Sequence, residues 1–126
     1  MKKTLAILFV CCSASGMALA DCPGTSTPEI EHCLLLEARQ AERELLVAYT
    51  DKLRMLEGGY DTPENQQKMK RSFVRAQQQW LKFRDADCQF IYESYGNGSG
   101  RNVGAISCQI ELTRLRIKEL KELFSQ

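Results

Sequence analysis

The sequence has little of what metal, redox and catalytic sites need. His32 is the only histidine, and no pair of cysteines shows C-x-x-C spacing, so neither a metal site nor a thiol redox motif is indicated. No second histidine is present to serve as the base of a serine or cysteine nucleophile. Asp85 and Asp87 point to different faces of a helix and make no acid/base pair. We therefore expect no cofactor, no metal and no enzyme activity.

Long apolar segments and an excess of one charge are also missing. Beyond the first twenty residues, no apolar run approaches the roughly 20 residues that a membrane-spanning helix needs. Leaving out Lys2 and Lys3, 15 basic residues stand against 16 acidic ones, a net charge of −1. A general nucleic-acid binder would carry a basic excess. The sequence thus predicts no membrane insertion and no nucleic-acid partner.

The first twenty residues have the pattern of a cleaved export signal. Lys2 and Lys3 precede a short apolar core over residues 5–12, and Ala18-Leu19-Ala20 is a small-residue cleavage site. We expect a signal peptide over residues 1–20 and one mature domain over residues 21–126. A lipid anchor is not expected, because Asp21, which is not a small residue, precedes Cys22. A free periplasmic or secreted bacterial protein is predicted.

Three segments have apolar residues at helical spacing, and none alternates with period two. The first helix is predicted to start at Thr27 as N-cap with Pro28 in first position, and to stop at Gly58-Gly59. The second should run from Pro63 to about Tyr95, and the third follows a loop over residues 96–104. The apolar stripes are Ile30, Leu34, Ala38, Ala41, Leu45, Ala48, Leu53 and Leu56; Met69, Phe73, Ala76, Trp80, Phe83 and Ile91; and Ile106, Ile110, Thr113, Ile117, Leu120 and Phe124. The prediction is an all-α antiparallel bundle with two long helices and one shorter helix.

Four cysteines remain after the signal peptide: Cys22, Cys33, Cys88 and Cys108. An even number in a small exported domain indicates a disulfide framework. Counted from the turn between the long helices, Cys33 and Cys88 reach nearly equal depth, so all four should gather at one end of the bundle. Pairing Cys22 with Cys33 and Cys88 with Cys108 keeps both loops short and is preferred. A crosswise Cys33–Cys88 pair would clamp the two long helices and stays open.

The glycine-rich segment over residues 96–104 is the most suggestive surface feature. It leads into a helix N-terminus, which attracts anions, but it does not match the phosphate-loop pattern and no strand precedes it. One interpretation is a plain flexible connector. The other is a protruding contact loop for a partner, with polar tips at Asn97, Ser99, Arg101 and Asn102.

The second helix carries a cluster of charged residues beside an aromatic one. Arg84 and Asp87 are i, i+3 neighbours and are expected to pair on the surface. Trp80 is expected in the core.

Two stretches of the chain have spaced motifs. The run from Gln77 to Cys88 has the pattern Q-x-x-W-x-x-[YF]-R-D-x-[ED]-C, and the run from Cys108 to Leu120 has the pattern C-x-x-x-[LT]-T-x-x-R-x-x-E-L. Both resemble the LprI-like family, which takes its name from a lysozyme inhibitor. The motif positions, expected to be structural, are Gln77, Trp80, Arg84, Asp85, Thr113 and Arg116. The chain departs at Leu46, where members often have Asn, and at Glu42, where they often have Asp.

The resemblance implies a small exported helical protein of the bacterial cell envelope that binds a protein partner. The more specific hypothesis is that the protein inhibits a lysozyme by placing a protruding loop in the cleft of that enzyme. Because a lysozyme works through paired carboxylates, a cation such as Arg101 on the glycine loop suits that task. The alternative is a periplasmic interaction, immunity or envelope stress protein that does not bind lysozyme. An enzyme acting on the cell wall is the weakest of the three hypotheses.

Overall fold

Three α-helices make up nearly all of the described chain in the computed structural model, which describes residues 22–58 and 61–123. These are α1 (Thr27–Glu57), α2 (Pro63–Ser94) and α3 (Arg101–Glu122), and no strand occurs within those ranges. The all-α prediction, with two long helices and one shorter, is confirmed. The predicted signal peptide, Gly59 and Phe124 lie outside the described residues. In the described part of the chain, no helix is both long and apolar enough to cross a membrane.

Local capping chemistry fixes where the two long helices begin. The N-cap of α1 is Ser26, one residue before the predicted Thr27, and it forms a capping box with Glu29. The carboxylate of Glu29 accepts hydrogen bonds from the backbone N–H of Thr25 and of Ser26 and from the Thr25 hydroxyl. These bonds, the Thr25 backbone bond first, hold the pKa of Glu29 below its ordinary value. The N-cap of α2 is Thr62, whose hydroxyl accepts from the Asn65 N–H at 3.3 Å.

The three helices run up, down and up, so that α1 and α3 are parallel and α2 is antiparallel to both. Near the start of both parallel helices, Asn102 of α3 bonds Glu31 of α1. Near their ends, Lys52 of α1 donates to the backbone carbonyl of Leu123 at 2.7 Å. The α3 helix packs extensively against both long helices, whereas α1 and α2 pack against each other much less. A groove therefore lies between α1 and α2 on the side away from α3.

The apolar core lies between α1 and α3 and is closed by aromatic residues. Its buried centre consists of Leu45, Ala48, Ile117 and Leu120. Tyr49 of α1 and Phe73 of α2 stack beside it with ring centroids 5.3 Å apart. Burial of most of the predicted positions on α1 and α3 confirms those two stripes.

The predicted apolar stripe of α2 is only partly right. Phe73 and Trp80 pack against the core, but Met69, Ala76 and Phe83 are exposed, Phe83 at 56%. The fully buried positions of α2 are instead Gln77, Arg84 and Cys88. The physical reason is that α2 buries polar side chains whose hydrogen bonds are satisfied by neighbouring helices. The face of α2 that carries Phe83 is therefore exposed to solvent.

Both disulfides have the preferred local pairing. Cys22 joins Cys33 and Cys88 joins Cys108, each with a Cα–Cα distance of 5.6 Å. The crosswise alternative is thereby excluded, and the four cysteines lie towards the same end of the bundle. Cys108 lies beyond the first turn of α3, because that helix begins at Arg101 rather than after residue 104.

Candidate functional site

The six motif positions converge on one cluster between the three helices, which we call the motif cluster. Gln77, Trp80, Arg84 and Asp85 come from the middle of α2, and Thr113 and Arg116 come from α3. Residues that are 29 and 39 positions apart in the sequence meet, because the antiparallel α2–α3 pair brings the middles of the two helices to the same level.

Arg84 is the centre of the motif cluster and links all three helices. Its Nη1 donates to the Glu42 carboxylate of α1 and, at 2.9 Å, to the hydroxyl of Thr113 on α3. Its Nε and Nη2 both reach Oδ1 of Asp85, at 3.2 and 3.1 Å. The predicted surface pair with Asp87 is wrong, because the Arg84 side chain turns inward and is only 9% exposed. A guanidinium has enough fixed donors to hold these three partners at once.

Trp80 lies close to two guanidinium groups of the motif cluster. The Arg84 carbon Cζ is 5.4 Å from the Trp80 ring centroid, and that of Arg116 is 5.8 Å away, both within cation–π range. Arg116 is held in place because its Nε donates to the Gln77 side chain at 3.0 Å and its Nη1 to Glu119 at 3.0 Å. The geometry is that of an interhelical clamp, and its donors are directed at protein groups.

The glycine-rich loop is shorter than predicted and occupies residues 96–100. Its sharp turn uses Gly96 at φ +56°, a left-handed conformation that suits glycine. Asn97 and Ser99 are exposed at its tip. The Cys88–Cys108 disulfide links the two helices that the loop connects, so the loop is closed by a covalent bridge.

The other two predicted loop residues, Arg101 and Asn102, belong to the first turn of α3, which corrects the sequence-based loop boundary. The guanidinium of Arg101 lies 5.0 Å from the ring centroid of Tyr92 on α2. The amide of Asn102 donates to the Glu31 carboxylate of α1 at 3.2 Å. Both side chains are thus anchored to neighbouring helices, beside the exposed tip rather than on it.

Two open grooves border these features. The groove between α1 and α2, with a volume of about 280 Å³, includes Glu42 and Gln77 of the motif cluster in its lining. A second groove of about 420 Å³ lies between α2 and α3 below the glycine loop, where Asp87 and Glu111 flank the apolar Ile91 and Leu112. Among the described residues, no group of three or more histidine, cysteine or acidic side chains is placed to hold a metal ion.

The comparisons with known proteins identify the family. The family model described as "Lysozyme inhibitor LprI" matches residues 20–120, which covers the cysteines, the motif cluster and the glycine loop. Comparison with curated proteins and with solved structures gave no match. Since the match extends over most of the sequence, the chain belongs to the LprI lysozyme-inhibitor family.

Proposed function

We propose that the protein is exported to the periplasm or secreted, and there binds and inhibits a lysozyme through the end of the bundle that carries the glycine loop. Membership of the LprI family supports an inhibitor-like function. The two disulfides fit an oxidising compartment outside the cytoplasm.

The observation that carries the proposal is the covalently braced, polar tip over residues 96–100. Both disulfides lie towards this end, and the one between Cys88 and Cys108 holds together the two helices that present the loop. A loop held in shape before binding loses less conformational entropy when it enters a cleft. Rigid presentation of a short polar loop therefore suits insertion into a concave partner surface.

The side chains at this end supply hydrogen-bond donors for the carboxylates of a lysozyme cleft. Asn97 and Ser99 offer an amide and a hydroxyl at the exposed tip, and Arg101 adds a positive charge from the first turn of α3. Cleavage by these enzymes depends on a pair of carboxyl groups that flank the glycosidic bond. Side-chain donors that hydrogen-bond to those carboxyl groups would block both substrate binding and proton transfer.

The test is a lysis assay with the oxidised mature protein, residues 21–126, added to c-type, g-type and i-type lysozymes. We expect slower lysis of a peptidoglycan suspension by at least one of the three types at micromolar excess of the protein. No inhibition of any type would refute the proposal, and lysis by the protein alone would show an enzyme instead.

The contribution of the tip is tested with Arg101→Ala and the double variant Asn97→Ala/Ser99→Ala. Removing an interface arginine or a pair of buried hydrogen bonds typically weakens binding by about tenfold or more. Arg54→Ala, at the far end of α1, is the matched control and should inhibit like the unchanged protein. Inhibition that survives both tip variants would refute the loop assignment while leaving the inhibitor function standing.

A further inference from the structure

The groove between α1 and α2 has an apolar floor that α3, the other helix of the described chain, does not cover. Its apolar lining consists of Leu45, Leu46, Tyr49, Val74 and Leu81. Leu45 and Tyr49 belong to the core or pack against it, so the floor is recessed between the two helices. On the rim, Leu46 is 61% exposed and extends the apolar surface of the groove towards solvent.

Basic residues lie along both rims of this groove. On α1, Arg39 and Arg43 precede Leu46 by seven and three residues and therefore share its face of the helix. On α2, Gln78 also lines the groove. Arg71 and Arg75 precede it by seven and three residues and Lys82 follows it by four, so these three basic residues share its face of the helix. All five side chains are exposed.

The carboxylates near the groove are paired with cations, and the five exposed basic side chains of the rims outnumber them. Glu42 and Asp85 are both bound by the buried Arg84. Near the other end of the groove, Glu57 is bound by Lys70, whose hydrogen bond and charge lower the pKa of that carboxyl. Two of the rim arginines bond only neutral groups in the described chain: Arg43 donates to Gln40 and Arg71 donates to Gln67.

We propose that this groove is a second interaction surface, which binds an acidic amphipathic helix of a protein partner. The apolar stripe of such a helix would lie against Leu46, Val74 and Leu81, and its flanking carboxylates would meet the basic rims on both sides. This inference goes beyond lysozyme inhibition, because it concerns a different face of the bundle and a partner that supplies a helix rather than a cleft.

The shape of the groove selects a helix over a membrane. A bilayer surface is bound by apolar side chains that protrude from the protein, whereas most of this floor lies below the two rims. A single anionic lipid also carries its charge at one end, whereas the rims bear positive charge along two parallel lines. A helix with carboxylates on both sides of its apolar stripe matches both lines at once.

The probe is a labelled peptide of about four helical turns with leucines at i, i+3, i+4 and i+7 and glutamates on both flanks. Binding to the oxidised protein is followed by fluorescence anisotropy at low and at physiological ionic strength. We expect a dissociation constant in the micromolar range that rises with salt. The same peptide with lysines in place of the glutamates should not bind.

Two variants test the groove itself. Arg39→Glu/Arg75→Glu reverses one charge on each rim and should weaken peptide binding at least tenfold, while Lys118→Glu/Lys121→Glu, with the same change in net charge on α3, should leave binding unchanged. Leu46→Asn removes an exposed apolar contact and should weaken binding several-fold. Circular dichroism and thermal unfolding establish that each variant is folded.

Three outcomes overturn the proposal. They are no binding of the glutamate peptide, equal losses of affinity in the rim and control variants, and a preference for vesicles of equal parts phosphatidylcholine and phosphatidylglycerol over the peptide. The last would assign the basic rims to a membrane surface. Lysozyme inhibition by the rim variants is measured in parallel and should be unchanged, which separates this surface from the glycine-loop end.

Discussion

The hydrogen bond between Arg84 and Thr113 should make the stability effects of these two residues strongly non-additive. Thr113 is 1% exposed and its hydroxyl accepts from Arg84 Nη1. We predict that Thr113→Val destabilises the unchanged protein by about 1–2 kcal/mol, because a buried charged donor loses one of its acceptors. In the Arg84→Met background the same substitution should be neutral or stabilising, since it then removes a buried hydroxyl that has lost its donor.

The magnitude for Arg84→Met follows from the exposure of its partners. Glu42 and Asp85 are 49% and 61% exposed at their side chains, so water replaces the lost ion pairs at a cost of only about 1 kcal/mol. The buried Thr113 hydroxyl, left without its partner, adds about 1–3 kcal/mol, and the lost Trp80 contact adds about 0.5–1 kcal/mol. We therefore expect a total loss of about 2.5–5 kcal/mol, with a coupling energy to Thr113 of about 1–3 kcal/mol.

Urea unfolding of the oxidised protein, followed by circular dichroism, measures all four members of this double-mutant cycle. Thr113→Ser is the control, because it keeps the hydroxyl and should keep most of the coupling to Arg84. If Thr113→Val has the same effect in both backgrounds to within about 0.5 kcal/mol, the clamp described for the motif cluster is refuted.

Three further predictions concern the Cys88–Cys108 disulfide, a glycine of α3 and the α1 cap. Replacing Cys88 and Cys108 by alanine should lower the free energy of unfolding by about 3 kcal/mol, as expected for a bridge across 20 residues, and a loss below about 1 kcal/mol in guanidinium unfolding would contradict this. Gly104→Ala should not stabilise the fold by the roughly 1 kcal/mol expected when alanine replaces an ordinary helical glycine, because the new Cβ would lie 2.8 Å from the Tyr95 ring. The stabilisation should return in a Tyr95→Ala background. If Gly104→Ala stabilises the protein without that second change, the contact with Tyr95 is absent. Because the pKa of Glu29 is lowered in the folded protein, its cap stabilises the fold fully above the ordinary pKa of 4.5, and this stabilisation is lost as the pH falls through the lower folded value. In Glu29→Gln, the melting temperature should therefore depend less on pH on the acid side. The same acid dependence in the variant and the unchanged protein would count against the cap.

The sequence predicted α1 and α3 well because their core faces are apolar and regularly spaced. Leu45 and Ala48 on α1, and Ile117 and Leu120 on α3, all lie where the helical period places them. The sequence favoured the observed disulfide pairing because it keeps both loops short, but it left the Cys33–Cys88 pair open, since all four cysteines were expected at one end of the bundle.

The core face of α2 could not be read from hydrophobicity. Its buried positions include Gln77 and Arg84, whose burial depends on partners in other helices that a local pattern does not show. Phe83, which the sequence pattern assigned to the core, lies on a different face of α2 and is exposed. Gln77 and Arg84 belong to the family signature, although only the structure reveals that they bond to residues of other helices.

The loop boundary was missed because composition and tertiary contacts favour different conformations there. Glycine and asparagine in residues 96–104 are typical of a loop. In the structure, Asn102 bonds Glu31 of α1, and Gly104 continues the helix by donating its N–H to the Gly100 carbonyl at 2.9 Å. The absent side chain of Gly104 leaves room for the Tyr95 ring, so tertiary packing extends α3 into a sequence that looks irregular.

Because both disulfides lie towards one end, the two ends of the bundle differ in how strongly they are held together. One end is tied covalently, whereas the other depends on side-chain packing such as the Tyr49–Phe73 stack and on the Lys52–Leu123 bond. Amide protons should therefore exchange with solvent increasingly fast from the cross-linked end towards the α1–α2 turn. Mild reduction should flatten this gradient by loosening the end that carries the glycine loop, so that fraying would begin where the partner is proposed to bind.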